Sequence, residues 1–276
     1  YQWKKDGADL TGETNATLTI TDANATQHDG NYSVVVSNDF GSVDSGVVEL
    51  AIEDFSLFSY SGLMLWLDAS GLMTAESLWI DKSGNGNHAT KYNTPTVVTN
   101  AQNGLSLMRY ETDGGDASAT DYHEWQDISD IRTVFCVIKR DADATGNWSQ
   151  AIADDNNHHF FAGSPGNILD SHHAHANVLT GLTRLNGLSI TGTSVAFPTS
   201  LSVLIHRTTG NVEASRIGKD RHHTGNYSFD GDYGELLIFN TALSDGYISE
   251  IEGYLAHKWG LTANLPSDHP YKNIAP

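Results

Sequence analysis

Five of the thirteen histidines crowd into eighteen positions, His158, His159, His172, His173 and His175, and His222 and His223 form another pair downstream. Imidazoles at this density support three kinds of chemistry. Two or three neutral rings joined by a carboxylate hold a transition metal. The same rings can instead donate hydrogen bonds to a sugar and offer it their edges, helped by Trp125, Trp148 or Tyr122. The third reading is unrelated polar groups on a solvated sheet and its loops. If Ile152 to Phe161 and Ser171 to Val178 are antiparallel neighbours, alternation puts His158 and His159 on opposite faces and His173 with His175 on one. The expected ligand-binding residues are therefore Trp125, Trp148, His158, His159, His173, His175, His222 and His223.

Oxygen-bearing side chains recur at alternate positions in Asp81, Ser83, Asn85 and Asn87, with Gly86 available for a sharp bend. That is the spacing of a calcium loop, and Asp141 and Asp143 begin a second run of the same kind. The bidentate carboxylate that should close each loop is absent, because Tyr92 and Ile152 stand there. A side-chain-capped turn uses the same residues, and both readings stay open.

Catalytic constellations are scarcer. Glu111, Asp113 and Asp116 approach the paired carboxylates of a retaining glycosidase, but Gly114 and Gly115 would break the strand that must aim such a pair. No nucleophile elbow, phosphate loop or zinc-protease helix occurs, so a non-catalytic role is expected.

These groups need a scaffold, and composition favours a β-rich one. Hydrophobic residues make up 39% of the chain and there are 26 glycines, which suits turn-rich globular domains. Fifteen basic against thirty-four acidic side chains leave a net charge of −19, which disfavours nucleic acid and anionic membrane as partners. No apolar run is long enough to span a bilayer. Cys136, the single cysteine, sits in the strand-like run Thr133 to Ile138 and reads as a small buried apolar residue.

Short strands fill the first fifty residues, among them Thr17 to Ile20, Val34 to Val36 and Val47 to Leu50. With Trp3 as core tryptophan and Tyr32 as tyrosine corner, residues 1–53 resemble the second half of an immunoglobulin-like domain, with Val34 where the family has its second cysteine. The strands that would precede Trp3 are missing. Three explanations are open: a fragment of a longer chain, strands outside the structure, or strands donated by a neighbouring copy.

Downstream, Leu63 to Ser70 reads LMLWLDAS, Trp79 to Ala89 reads WIDKSGNGNHA, and Gly234 to Ser244 reads GELLIFNTALS before a helical pattern of Ile248, Ile251, Tyr254, Leu255 and Trp259. Ser244 and Gly260 are placed to start and stop that helix. These motifs resemble the laminin-G-like members of the concanavalin-A-like jellyroll superfamily, in the form common in large bacterial surface proteins. The resemblance covers residues 58–276. It implies an all-β chain: a partial immunoglobulin-like sandwich followed by a jellyroll with a short C-terminal helix. By analogy it also implies an extracellular or cell-surface module that binds polysaccharide or glycoprotein, with rim calcium. A transition metal at the histidines is the lesser cofactor expectation. The competing expectation is a structural subunit that assembles with neighbouring copies of itself through the incomplete first domain.

Overall fold

A computed structural model describes residues 1–21, 23, 25–52, 55–111, 120–142, 144, 151–154, 166–219 and 229–276. The chain is mostly β-sheet and divides into two compact units, Tyr1–Ser56 and Leu57–Pro276. No helix among the described residues is long and apolar enough to cross a membrane.

The first unit contains β1 (Gln2–Lys5), β2 (Ala8–Asp9), the single helical turn α1 (Ala25–His28), β3 (Gly30–Asn38), β4 (Gly41–Asp44) and β5 (Val48–Leu50). Asp6 and Gly7 both have positive φ, which is the turn chemistry that joins β1 to β2 with the right twist. The order is β2-β1-β3-β4, and β5 pairs with the first half of β3. Register sets one face: Trp3 lies opposite Val34, Tyr32 opposite Val48 and Val36 opposite Val43. Tyr32 is buried there and donates its hydroxyl to the His28 carbonyl at 2.8 Å. The outer part of the same face is open, with Val43 71% and Val48 68% exposed.

The second unit runs through β6 (Leu63–Asp68), β7 (Leu78–Trp79), β8 (Ala89–Tyr92), β9 (Thr96–Gln102), β10 (Leu105–Tyr110), β11 (Tyr122–Arg140) and β12 (Ile152–Ala153). Then come α2 (Ala176–Leu179), β13 (Leu182–Leu185), β14 (Leu188–Ile190), β15 (Ser202–Ile217), β16 (Gly231–Phe239) and α3 (Asp245–Lys258). All pairings are antiparallel, in the order β14-β13-β15-β11-β16-β10-β9, with β6 also on β16 and β8 on β11. Every residue of β16 is buried, which is why its last four, Leu236 to Phe239, read as a continuous apolar run rather than an alternating one. One face of β11, β15 and β16 supplies Val134, Cys136, Ile138, Leu204, Leu236 and Ile238 to the main core. Burial raises the Cys136 thiol pKa, as expected of an inert core cysteine.

The opposite face, Phe135, Val137, Val203, Ile205, Leu237 and Phe239, is buried as well, and α3 covers it with Ile248, Ile251, Leu255 and Trp259. Ser244 caps the helix by accepting from the Tyr247 N–H, and Leu261 N–H returns to the Ala256 carbonyl past Gly260, at φ +65°. Gly234 has to be a glycine because a Cβ there would lie 2.9 Å from Val137 and 3.0 Å from Trp259.

The same helix carries Glu252 into a buried contact with the β13–β14 hairpin. Asn186 and Gly187 form that hairpin's two-residue turn, both at positive φ. Gly187 N–H donates to Glu252, Arg184 pairs with it at 2.8 Å, and His269 Nε2 lies 3.5 Å away. Burial pushes the Glu252 carboxyl up to about 7, against the opposing pull of Arg184 and Gly187. An acid whose folded pKa is raised stabilises the fold when protonated. Its contribution is full below about pH 4.5 and declines as pH rises toward 7. Over that window the loss is on the order of 3 kcal/mol. Glu252→Gln is expected to remove this slope, so the change in melting temperature between about pH 5 and about pH 8 should differ clearly between variant and wild type. Identical slopes would remove Glu252 from the account.

Candidate functional site

The long strands β11 and β15 do not pair smoothly. Between Ile131 and Thr133 the partner on β15 jumps from Val212 to Arg207, so residues 208–211 bulge from the ladder. The turn of α2 docks on that bulge. Asn177 Nδ2 donates to the Asn211 carbonyl at 3.0 Å, and the Thr180 and Thr209 hydroxyls meet at 2.8 Å. Gly210 leaves the room required, since a Cβ there would sit 2.7 Å from Asn177 Nδ2. Beside the docked turn opens a cleft of about 170 Å³ lined by Ser129, His175, Asn211, Val212 and Glu213.

His175 enters this cleft as the N-cap of α2. Its Nδ1 accepts the Asn177 N–H at 3.1 Å, so the neutral ring carries its proton on Nε2. By side-chain type the ring is then a donor at Nε2, Glu213 an acceptor, and Asn211 and Ser129 both. His173 is held in the opposite tautomer. Asp170 accepts from the His172 and His173 backbone N–H groups and from His173 Nδ1 at 2.8 Å, which leaves the Nε2 lone pair as the ring's acceptor. Burial raises the Asp170 pKa, but these hydrogen bonds outweigh it and hold the carboxyl below its usual range.

These placements correct the expectation that His173 and His175 share the face of a strand. Asp170 captures two successive backbone N–H groups, and the chain turns there instead of extending. Trp125 is also corrected. It is 4% exposed in the main core, with its indole N–H donated to the Ala214 carbonyl at 3.2 Å, so it has no face to give a ligand. Trp148, His158, His159, His222, His223 and Asp143 lie outside the described residues, as does most of the Glu111 to Asp116 segment.

Asp81, Ser83, Asn85 and Asn87 come together, but around the backbone of β6. The Asp81 carboxylate accepts from the N–H groups of Trp66, Ser83 and Asn87 and from the Ser83 hydroxyl. Asn85 and Asn87 turn their amide NH₂ groups onto the Leu63 and Met64 carbonyls at 2.7 and 2.8 Å. His88 Nδ1 accepts the Asp81 N–H. Here the oxygens and amides pin the loop to the edge of the sheet, as a side-chain-capped turn does. Asp141 follows β11, its backbone N–H on the Asp230 carbonyl and its carboxylate 4.0 Å from Lys139 Nζ. Among the described residues, no three His, Cys, Asp or Glu side chains are grouped to hold a metal ion.

Missing from the sequence reading is a buried charged cluster. Glu235 lies opposite Asp68 across the β16–β6 pairing, and Lys258 of α3 reaches both carboxylates at 2.8 and 3.0 Å. A glutamate directly before the apolar run Leu236 to Phe239 is the signal that could have found it. Ser129, Asn211 and Glu213 carried no such signal, because only the bulged register brings them to one cleft. No known family model matches the chain, and no curated protein matches it.

Proposed function

We propose that this chain is a non-catalytic extracellular recognition module that binds polysaccharide or glycoprotein, as part of a large bacterial surface adhesin. The fold we assign is a partial immunoglobulin-like domain followed by a laminin-G-like jellyroll. The Tyr32 to His28 hydrogen bond and the helix that follows β16 support that assignment. The observation that carries the function is the cleft at His175. A histidine, a glutamate, an asparagine and a serine line a space large enough for part of one sugar ring, and residues of these types are the ones that polyhydroxylated ligands select. Weak single-site binding would be offset by repetition along an adhesin.

Binding of the whole chain to immobilised polysaccharides tests this. His175→Ala and Glu213→Gln should each weaken capture on the order of tenfold, about the cost of one or two lost hydrogen bonds. Capture that ignores both substitutions would discard the cleft. A cation at Asp81 would have to displace four protein donors, so binding is expected to survive a chelator. Loss in chelator would instead return the Asp81 to Asn87 loop and Asp141 to the site.

The open apolar face of the first unit favours a second reading. Val36, Val43 and Val48 sit in register on one face of a single sheet, as an assembly subunit completed by neighbouring copies would require. Concentration-dependent growth in sedimentation would support this reading, and a concentration-independent monomer would remove it.

A further inference from the structure

Asp39 and Phe40 form the two-residue loop between β3 and β4, closed by the pairing of Asn38 with Gly41. Asn38 Oδ1 accepts the Phe40 N–H at 2.8 Å, which fixes the tip of this hairpin. Phe40 stands there 99% exposed, so its ring adds nothing to the packing of the unit. Beside it opens a hollow of about 420 Å³ lined by residues 36–38 and 40–43, with Val36 and Val43 as its other apolar walls. A projecting ring and a hollow with apolar walls therefore belong to one hairpin. Val36 and Val43, opposite each other in the ladder, join this hollow to the open apolar face of the sheet.

Charge is distributed so that a second copy can meet this face. Residues 1–56 hold ten carboxylates against two lysines, which sets copies of the unit against one another in general. Register places Asp44 opposite Val35 and Glu49 opposite Asn31, on the reverse of the sheet. Trp3, Tyr32, Val34, Val36, Val43 and Val48 share the apolar side, where Lys5 is the only charged residue on a described strand. Two such faces meet without opposing carboxylates from β4 or β5. Asp39, exposed at the tip, leaves a repulsion that salt can screen. A patch that holds both knob and hollow is complementary to itself, and a two-fold axis satisfies both copies at once. We infer that the β3–β4 hairpin is the contact through which two copies of this chain pair, Phe40 of each seated in the hollow of the other. The inference rests on the reading of the first unit as an element that assembles with copies of itself, and it replaces open growth by a closed pair.

The whole chain is followed by sedimentation from about 1 μM to about 500 μM, because a contact of this extent lies at the weak end of interfaces. The mass should rise from one chain to two and stop there. Phe40→Ser acts on both halves of the contact and should raise the dissociation constant on the order of a hundredfold. Val43→Glu, which sets a carboxylate in each hollow, should do the same, while Phe40→Tyr, which keeps the ring, should still pair. Unaltered melting temperatures would show that the variants are folded. Added salt should tighten the pair, since it screens the carboxylates of both copies. Growth beyond two chains, or a dimer indifferent to Phe40→Ser and Val43→Glu, would overturn the hairpin contact and leave the assembly reading standing. Association that salt weakens would also overturn it, because opposite charges would then be meeting. A monomer at every concentration would count against both.

Discussion

Replacing Glu235 by alanine is expected to destabilise the protein by about 3–5 kcal/mol, the usual cost of removing one partner from a buried charge pair. The glutamate accepts from Trp66 Nε1 at 2.7 Å, Trp259 Nε1 at 2.9 Å and Lys258 Nζ at 2.8 Å. Asp68, across the register, takes Lys82 Nζ at 2.6 Å and Lys258 Nζ at 3.0 Å. Burial raises the Glu235 pKa and Asp68 adds to the rise, while Lys258 and Trp259 oppose it. For Asp68 the balance falls the other way: burial raises it, but Lys258, Lys82 and Ser70 hold it below the usual carboxylate range. Alanine would leave one buried and one half-buried indole N–H unanswered and an ammonium with one carboxylate fewer, besides the space vacated. Chemical denaturation should show a lower midpoint at an unchanged slope. Glu235→Gln keeps an acceptor for both indoles and should lose clearly less. Equal stability of the alanine variant and wild type would mean that the cluster does not hold α3 to the sheet.

Acidification is the second large perturbation. His123 and His206 are buried, and burial lowers both rings to about 3, with Lys91 adding to the effect at His123. Tyr110 meets His123 Nδ1 at 2.8 Å and Thr183 meets His206 Nδ1 at 3.1 Å. Among the described residues, His123 Nε2 finds no hydrogen-bond partner. A histidine with a depressed folded pKa contributes stability that is full above about pH 6.5 and is lost as pH falls toward 3. Each ring accounts for on the order of 5 kcal/mol over that window. Protonation of Glu252 acts in the opposite sense but is worth only on the order of 3 kcal/mol, so the histidines prevail. Depressed carboxylates such as Asp68 and Asp170 lose their contribution at lower pH and add to the collapse. Tryptophan fluorescence should report cooperative unfolding at about pH 4, and His206→Gln, which cannot protonate, should move the midpoint lower. An unmoved midpoint would take His206 out of the account.

The sequence made some of this legible. The run from Leu236 to Phe239 followed by Ser244 marked a buried strand entering a capped helix, because apolar continuity, cap chemistry and the stop at Gly260 are all local signals. Asn186 and Gly187 marked their hairpin for the same reason. The histidines misled because alternation says nothing about a nearby aspartate that takes the backbone's own hydrogen bonds. Trp125 misled because period-2 alternation separates two faces without saying which one is buried. The cleft was invisible, since it exists only where two long strands fall out of step. The run from Asp81 to Asn87 was legible as a set of polar side chains closing a turn, but not as a clamp on β6, whose carbonyls lie about twenty positions earlier in the chain.

The central place of β16 bears on how the protein comes into being. This strand pairs with β6, β10 and β11, and Trp66 reaches across 169 positions to hold Glu235. As a nascent chain emerges from the ribosome, everything from β6 to β15 appears before its middle does. Contacts of such long range are slow to form, and until β16 arrives nothing joins β6 and β10 to β11, so the core stays open. The second unit is therefore built to stay open for most of its synthesis and to fold late and all at once.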